Sequence, residues 1–526
     1  MSCSKILLGD LPEYNMSCSK ILLGDLPELT YEIIKYFQND YSNLLDYSTL
    51  HSCILVNRLW CRIAIPLLWE NPFSIPNRNY NKMIEIYLYN LNDDFKTKLN
   101  EYKIINNSLS SRNIMFNYVK FLKYLNICRY MFYVEKWSDD ATSTKHFEQN
   151  FMRLVHMSLF KIFIENGVNL RTLEIEIGTL DIHCYDYQNI LKLILQNQNF
   201  IHNIGNLQLN IVDNIENMVT NNHVLQIIHL HQNLKKIKIC NNDESLYQPL
   251  LLSKDHNCSN TLNTIIFLYV EFKFINYLNE VFEQLNVLES VHIVKCSSLN
   301  NFIQQIINLT KPFKLKSLIL YEVPQIETLQ QLLQKSGNYL ENFGGYDICL
   351  NDDILPQLLK YCDNINFLYF HGYVKSEIFT YKVINLIENI KQSLNYLSMI
   401  IWEEYPLTGS FILKNLGQIL PSKLEYLSLV LNVKESDFRA FLENSQGVFV
   451  NKLSIELRRG SDDTLHYIKE YIMKEKRVKY LAIKDNENNK ELFDLKKEVR
   501  EFELHNIRVR RQRDLFISDL SDFIWS

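Results

Sequence analysis

LKSLIL at residues 315–320 recurs, with its apolar letters in nearly the same places, as INFLYF at 365–370, LNYLSM at 394–399, LEYLSL at 424–429 and VKYLAI at 478–483. The shared pattern is apolar-x-x-apolar-x-apolar, whose closing letters alternate as a half-buried strand does. LRTLEIEI (170–177) and LKKIKI (234–239) are earlier instances, VREFEL (499–504) reads as the last, and LKYLNI (122–127) as a degenerate first. The third-last apolar position of each instance runs Leu173, Leu207, Ile237, Ile265, Val291, Leu318, Phe343, Leu368, Leu397, Leu427, Leu453, Leu481 and Phe502, in steps of about 21 to 34 residues. Helical patterns fall between them, as at Phe274–Leu285, Ile326–Gln334, Asp352–Tyr361 and Asp462–Lys474. One strand and one helix cannot bury their own apolar faces, but stacked copies share a continuous core. The expected fold is therefore an α/β solenoid over 117–526, with parallel strands on the concave side and helices on the convex side.

The N-terminal region reads differently. Residues 1–13, MSCSKILLGDLPE, recur letter for letter at 16–28, and only the second copy runs on into an amphipathic pattern. Residues 1–15 are thus expected to be either a disordered extension or the product of a misassigned start site. From Asp25-Leu26-Pro27-Glu28, an N-cap candidate followed by a proline in the first turn, apolar residues recur at Leu29, Ile33, Ile34 and Phe37. A second helical pattern holds Leu50, Cys53, Ile54, Val56, Leu59 and Trp60, and a third holds Ile63, Ile65, Leu67, Leu68 and Trp69. Three short helices within 25–71 make a small core, marginal without a partner. Residues 72–116, rich in Asn, Lys and Tyr, are expected to connect this module to the array as helices packed on its first strand.

The string LPELTYEII followed by LHSCILVNRLWCRIAIPLLW resembles the F-box, whose pattern is LPxEI and then VCRxWxxLAxxPxLW. Matching positions are Leu26, Pro27, Ile33, Ile34, Leu50, Val56, Arg58, Trp60, Pro66, Leu67 and Trp69. Asn57 stands where the family usually has cysteine, and Gln38 to Ser48 make a longer connection than is common. The array is similar to the leucine-rich repeats joined to F-boxes, though the usual asparagine at the ninth repeat position is mostly absent and cysteine recurs irregularly, as at Cys240 and Cys296. The resemblance implies a leucine-rich-repeat horseshoe behind a three-helix module. It further implies a substrate receptor in which Leu26, Pro27, Ile33, Ile34, Leu50, Val56, Trp60, Leu67 and Trp69 dock on the Skp-type adaptor of a cullin ubiquitin ligase, and the repeats hold an unidentified target protein. The alternative is a repeat scaffold whose helical cap binds no adaptor.

In such strands the residues between the apolar knobs point outward. They are charged and polar early (Glu174, Glu176, Gln208, Asn210, Lys236, Lys238) and late (Lys452, Glu456, Lys484, Glu503, His505). In the middle they are Tyr321, Tyr346, Tyr369, His371, Tyr396 and Tyr426, with Trp402 just beyond its strand. Solvent-facing aromatics are the preferred anchors of binding hot spots, so these six residues are the expected target-binding set. With 31 tyrosines in the chain, composition alone is the competing explanation.

Other classes find little support. A formal charge of −5 gives no reason to expect nucleic acid as partner, and Arg508, Arg510, Arg511 and Arg513 lie among Asp514 and Asp519. GxGxxG, GxxxxGK[ST], GxSxG and HExxH are absent, so no enzyme and no cofactor is expected. The 11 cysteines lack CxxC spacing, and His229-Leu230-His231 could hold a metal only with further ligands nearby and reads rather as a helix end, so neither disulfides nor a metal site is expected. No apolar run approaches about 18 residues, so no membrane span is expected and the compartment is read as cytosol or nucleus.

Overall fold

The structure, a computed structural model, describes residues 27–36, 48–74, 80–91, 93–101, 115–141, 149–177, 184–211, 218–230, 233–240, 257–346, 353–374, 377–403, 408–431, 435–457, 464–485 and 490–517. The expected extension at 1–15 and the site residue Leu26 lie outside the described residues. The chain divides into two compact units, Met1–Tyr124 with Phe132–Asn169, and Leu125–Met131 with Leu170–Ser526.

The first unit is helical. Its first three helices are Pro27–Tyr36, Ser48–Ile54 and Arg58–Trp69. Apolar spacing alone joined Leu59 and Trp60 to the second helix, but the chain breaks before them. Asn57 opens the third helix, its side-chain oxygen accepting the Trp60 N–H at 2.9 Å. That bond satisfies one of the amides a helix start leaves without an intrahelical acceptor. Trp69 then closes the helix against Tyr87 and Tyr118, with ring centroids 5.4 and 4.5 Å away. Helices Tyr80–Leu88 and Asp93–Glu101 fill much of 72–116, and both pack on helix Gln149–Glu165 rather than on a strand. The helical unit thus reaches Asn169, well past the expected start of the array.

The second unit is α/β, built on one open, mostly parallel sheet. Its strands are β1 (Tyr124–Asn126), β2 (Thr172–Ile177), β3 (Asn206–Ile211), β4 (Lys236–Cys240), β5 (Thr264–Leu268), β6 (Ser290–Val294), β7 (Leu315–Leu320), β8 (Asn342–Gly345), β9 (Phe367–Val374), β10 (Tyr396–Glu403), β11 (Lys423–Leu431), β12 (Phe449–Leu457), β13 (Val478–Asp485), β14 (Lys490–Glu491) and β15 (Arg508–Val509). Strand order in space is chain order from β1 to β14, with β15 also on β13. From β2 to β13, and again between β13 and β15, the pairing is parallel, and β14 runs antiparallel to β13. Helices between strands pack on the next helix along, from Leu278–Gln284 through Thr464–Ile468. Each repeat is therefore a nearest neighbour of the repeats before and after it, as a linear stack requires.

The expected apolar column is largely present. Leu318, Phe343, Leu368, Leu397, Leu427, Leu453 and Leu481 are consecutive partners and buried. Phe267, Phe272 and Phe302 show what lies beneath this face, with Phe272 and Phe302 4.5 Å apart between centroids. Two expectations are corrected. A bulge between β6 and β7 pairs Val291 with Leu315 and Ile293 with Leu318, so the earlier column is offset by two residues on the same face. VREFEL is not a strand: residues 499–504 belong to helix Lys496–Leu504, and Phe502 is its buried contact. Leu495, Val499 and Phe502 stand at helical intervals, and that period outweighs the short alternation read there.

Candidate functional site

Two surfaces carry the residues singled out by sequence. In the helical unit, Ile34, Leu50, Trp60, Leu67 and Trp69 are buried in the unit's own core, so five of the expected adaptor-binding side chains are internal. Helix periodicity identifies an apolar stripe but not whether a partner or the next helix covers it. Ile33 is half-buried, and Pro27 and Val56 are exposed. Further exposed apolar side chains on these elements are Leu29, Tyr31, Tyr36 and Leu55, the last with 86% of its surface free. Leu55 and Val56 occupy the turn that Asn57 caps, so the same local break that ends one helix presents them outward.

In the α/β unit the six target-binding candidates do lie on the sheet face opposite the helices. Phe370 meets helix residue Phe379 at 6.2 Å, whereas its neighbour Tyr369 meets Tyr346 at 5.6 Å. They are not, however, uniformly exposed. Tyr321 is 58% exposed, Tyr346, His371 and Tyr396 are half-buried, and Tyr369 and Tyr426 retain only 5% and 1%. The strand alternation is right and the inference of solvent exposure is wrong for those two. Tyr369 fits against Gly344, where a Cβ would come within 2.7 Å of the Tyr369 Cβ, and lies in an apolar cluster with Ile319, Phe367, Ile400 and Val430. Burial raises its phenol well above the ordinary range, with Tyr346 adding to the effect.

What remains open is an aromatic edge at the carboxyl ends of the strands. Tyr321 and Tyr346 stand 6.5 Å apart, Tyr346 and His371 5.1 Å, His371 and Trp402 6.4 Å, and Trp402 and Tyr373 6.2 Å. Tyr321, Tyr373 and Trp402 are exposed. One cation is held in this edge. The Lys295 ammonium lies 5.3 Å from the Tyr269 ring centre and 4.9 Å from that of Tyr346, and it donates to the Tyr269 hydroxyl at 3.0 Å. Burial works against the Lys295 charge, but its bonds to Tyr269 and Tyr346 outweigh this and leave the pKa raised. Both Tyr269 and Lys295 follow a strand directly and take positive φ, 56° and 54°, a backbone region costly for residues with side chains. Sequence alternation missed Tyr269 and Lys295 because that backbone turn breaks the two-residue period. Tyr373 was within reach of the period, two residues beyond His371.

Further along the same face the surface is covered by the chain itself. Leu515 packs on Tyr480 and Ala482, and Phe516 and Ile517 lie against the cluster that contains Tyr369 and Val430. The Ile517 N–H donates to the Tyr426 hydroxyl at 3.3 Å, and the Gln512 amide donates to Glu456. Nothing in the strand pattern signalled this segment.

Aromatic faces, a caged ammonium and a run of apolar side chains are groups that bind surfaces by burial and stacking. Among the described residues no helix is long and apolar enough to cross a membrane. Compared with known proteins, the chain matches no family model and no curated protein.

Proposed function

We propose that this chain is the target-recognition subunit of a Skp–cullin–F-box ubiquitin ligase, with a leucine-rich-repeat horseshoe that holds the target and an N-terminal F-box-like module that holds the Skp-type adaptor. The observation that carries the reading is the parallel ladder in chain order, with a helix between most consecutive strands and an aromatic row opposite the helices. Such a stack offers an extended face rather than a pocket. Its contribution to the reaction is proximity: a captured target sits at high effective concentration near the transfer machinery, and this chain supplies no reacting group. The F-box-like string supports the adaptor half, as do the exposed Pro27, Leu55 and Val56. Neither the repeat family nor the ligase partner follows from the ladder alone; both rest on the resemblance of the motifs.

A second reading, a repeat scaffold with a plain helical cap, is favoured by the burial of Ile34, Leu50, Trp60, Leu67 and Trp69 in the unit's own core. Co-expression with a Skp-type adaptor separates the two. The wild-type chain is expected to retain the adaptor through affinity purification. A Pro27→Ala, Val56→Asp double variant changes only exposed side chains, so it should lose the adaptor with little change in melting temperature. A wild-type chain that retains no adaptor overturns the ligase reading and leaves the scaffold.

A further inference from the structure

We infer that residues 511–517 are an intramolecular occupant of the tyrosine face, and that an apolar segment of a partner binds there by displacing them. The second clause rests on the reading of this face as the target-binding surface; the first does not.

The course of the chain supports the assignment. Strand β15 closes the sheet against β13, and the last ladder bond beyond it joins the Arg510 N–H to the Leu481 carbonyl at 2.8 Å. The edge of the sheet is thereby satisfied, and helix Lys496–Leu504 already covers the apolar end with Phe502. Yet the chain turns back over the outer face, where the short helix Gln512–Leu515 meets β12 at Glu456 and β13 at Tyr480 and Ala482, and Ile517 reaches Tyr426 on β11. Arg511 marks the turn, its guanidinium 3.2 Å from Asp494 and 5.0 Å from the Phe493 ring centre. An end cap has no need of that return.

The face beneath is shaped to receive it. In register across β10 to β13 stand Ser398, Ser428, Ser454 and Ala482, all small and all buried although they point away from the helices. On the earlier strands the row runs Tyr369, Gly344, Ile319, Val294 and Leu268, apolar side chains interrupted by the glycine on which Tyr369 packs. Small residues therefore lie on the strands that the tail touches, β11 to β13, and Phe516 and Ile517 extend the apolar cluster that includes Tyr369, Ile400 and Val430. The grip is light. The Ile517 N–H bonds Tyr426 and the Gln512 amide bonds Glu456, while Phe516 and Ile517 stay half-buried. A segment held by apolar side chains and two hydrogen bonds can be replaced by a peptide that offers the same groups. The apolar run Leu515-Phe516-Ile517 states the chemistry of that competitor.

The test uses the tail as its own probe. A labelled synthetic peptide of residues 511–526 is titrated into the full chain and into a chain ending at Arg510. The truncated chain is expected to bind it, and the full chain at least tenfold more weakly, because its tethered tail competes at an effective concentration of order millimolar. A peptide with Leu515→Asp and Phe516→Asp should bind neither. Equal binding to both chains, or none to a folded truncated chain, overturns the proposal. Should truncation prevent folding, the same double substitution in the full chain serves instead. Trypsin should then cut after Arg513 at least tenfold faster than in wild type, and an unchanged rate is equally fatal. The assay contains no adaptor and no target. Failure of adaptor capture therefore leaves the tail contact standing, and failure of peptide binding leaves the ligase reading untouched.

Discussion

At the scale of single residues, Tyr369 and Tyr321 share a face but not a role. Tyr369 is 5% exposed and closed in by Ile319, Phe367, Ile400 and Val430, so Tyr369→Ala should cost about 3 kcal/mol or more in urea unfolding, as large-to-small core changes do. Tyr321→Ala, at an exposed position, should stay within about 0.5 kcal/mol. Equal small effects would mean the Tyr369 cluster is open in solution. Alternation made the shared face legible. It gave no hint of the burial, which depends on Gly344 across the ladder and on the apolar neighbours collected from other repeats. His292 makes a second case. It is buried on this face with its Nδ1 2.7 Å from the Ser317 hydroxyl, and burial, then the charges of Lys236 and Lys316, push its pKa down to about 3. An unfolded histidine titrates near 6.5, so between about pH 6.5 and 3 the unfolded chain binds the extra proton and stability falls as pH falls. His292→Asn keeps a partner for Ser317 and removes the titration. Its melting temperature should therefore drop less than wild type from pH 7 to pH 5, and parallel drops would exclude His292 as the source.

Elements show where period suffices and where capping decides. Strand β7 occupies LKSLIL residue for residue, and the later strands begin within two residues of their motifs, because alternating apolar letters met a stack that needs one apolar face per strand. Helix ends answer to other forces. Asn57, met in sequence only as a departure from a family letter, turns out to start a helix and to leave Leu55 and Val56 in the open. Asn57→Ala removes the acceptor of the Trp60 N–H and should cost about 1 kcal/mol of local helix stability. Hydrogen exchange of the first-turn amides of Arg58–Trp69 should quicken about fivefold, the factor for 1 kcal/mol. Exchange unchanged at Trp60 would show that the cap bond contributes nothing. The edge at Tyr269 and Lys295 was out of reach for a related reason. Positive φ at residues other than glycine has no strong letter of its own, and it redirects side chains that a two-residue period assigns elsewhere.

For the α/β unit as a whole, the order of strands dictates how damage spreads. Each strand from β3 to β12 pairs with the strand before it and the strand after it, so stability is a chain of neighbour terms rather than one shared core. Gly344 in β8 is a sensitive link. A Cβ there would meet the Tyr369 carbonyl oxygen at 2.6 Å and its Cβ at 2.7 Å, both on β9, and neither is the far end of a flexible side chain. Gly344→Val therefore pries β8 from β9 while leaving every other strand pair its native letters. Amide exchange followed by mass spectrometry should quicken most over residues 342–345 and 367–374, and less with each repeat away from the break. Strands β2 to β4 should stay close to their wild-type protection, because four strand pairs separate β4 from the lesion. Uniform quickening from β2 to β13 would mean that the unit opens as one block, with coupling longer in range than the ladder. A graded profile would also explain how the return of residues 511–517 over β11 to β13 could exchange with a partner without disturbing the early repeats, since neighbour terms carry little strain across several strands.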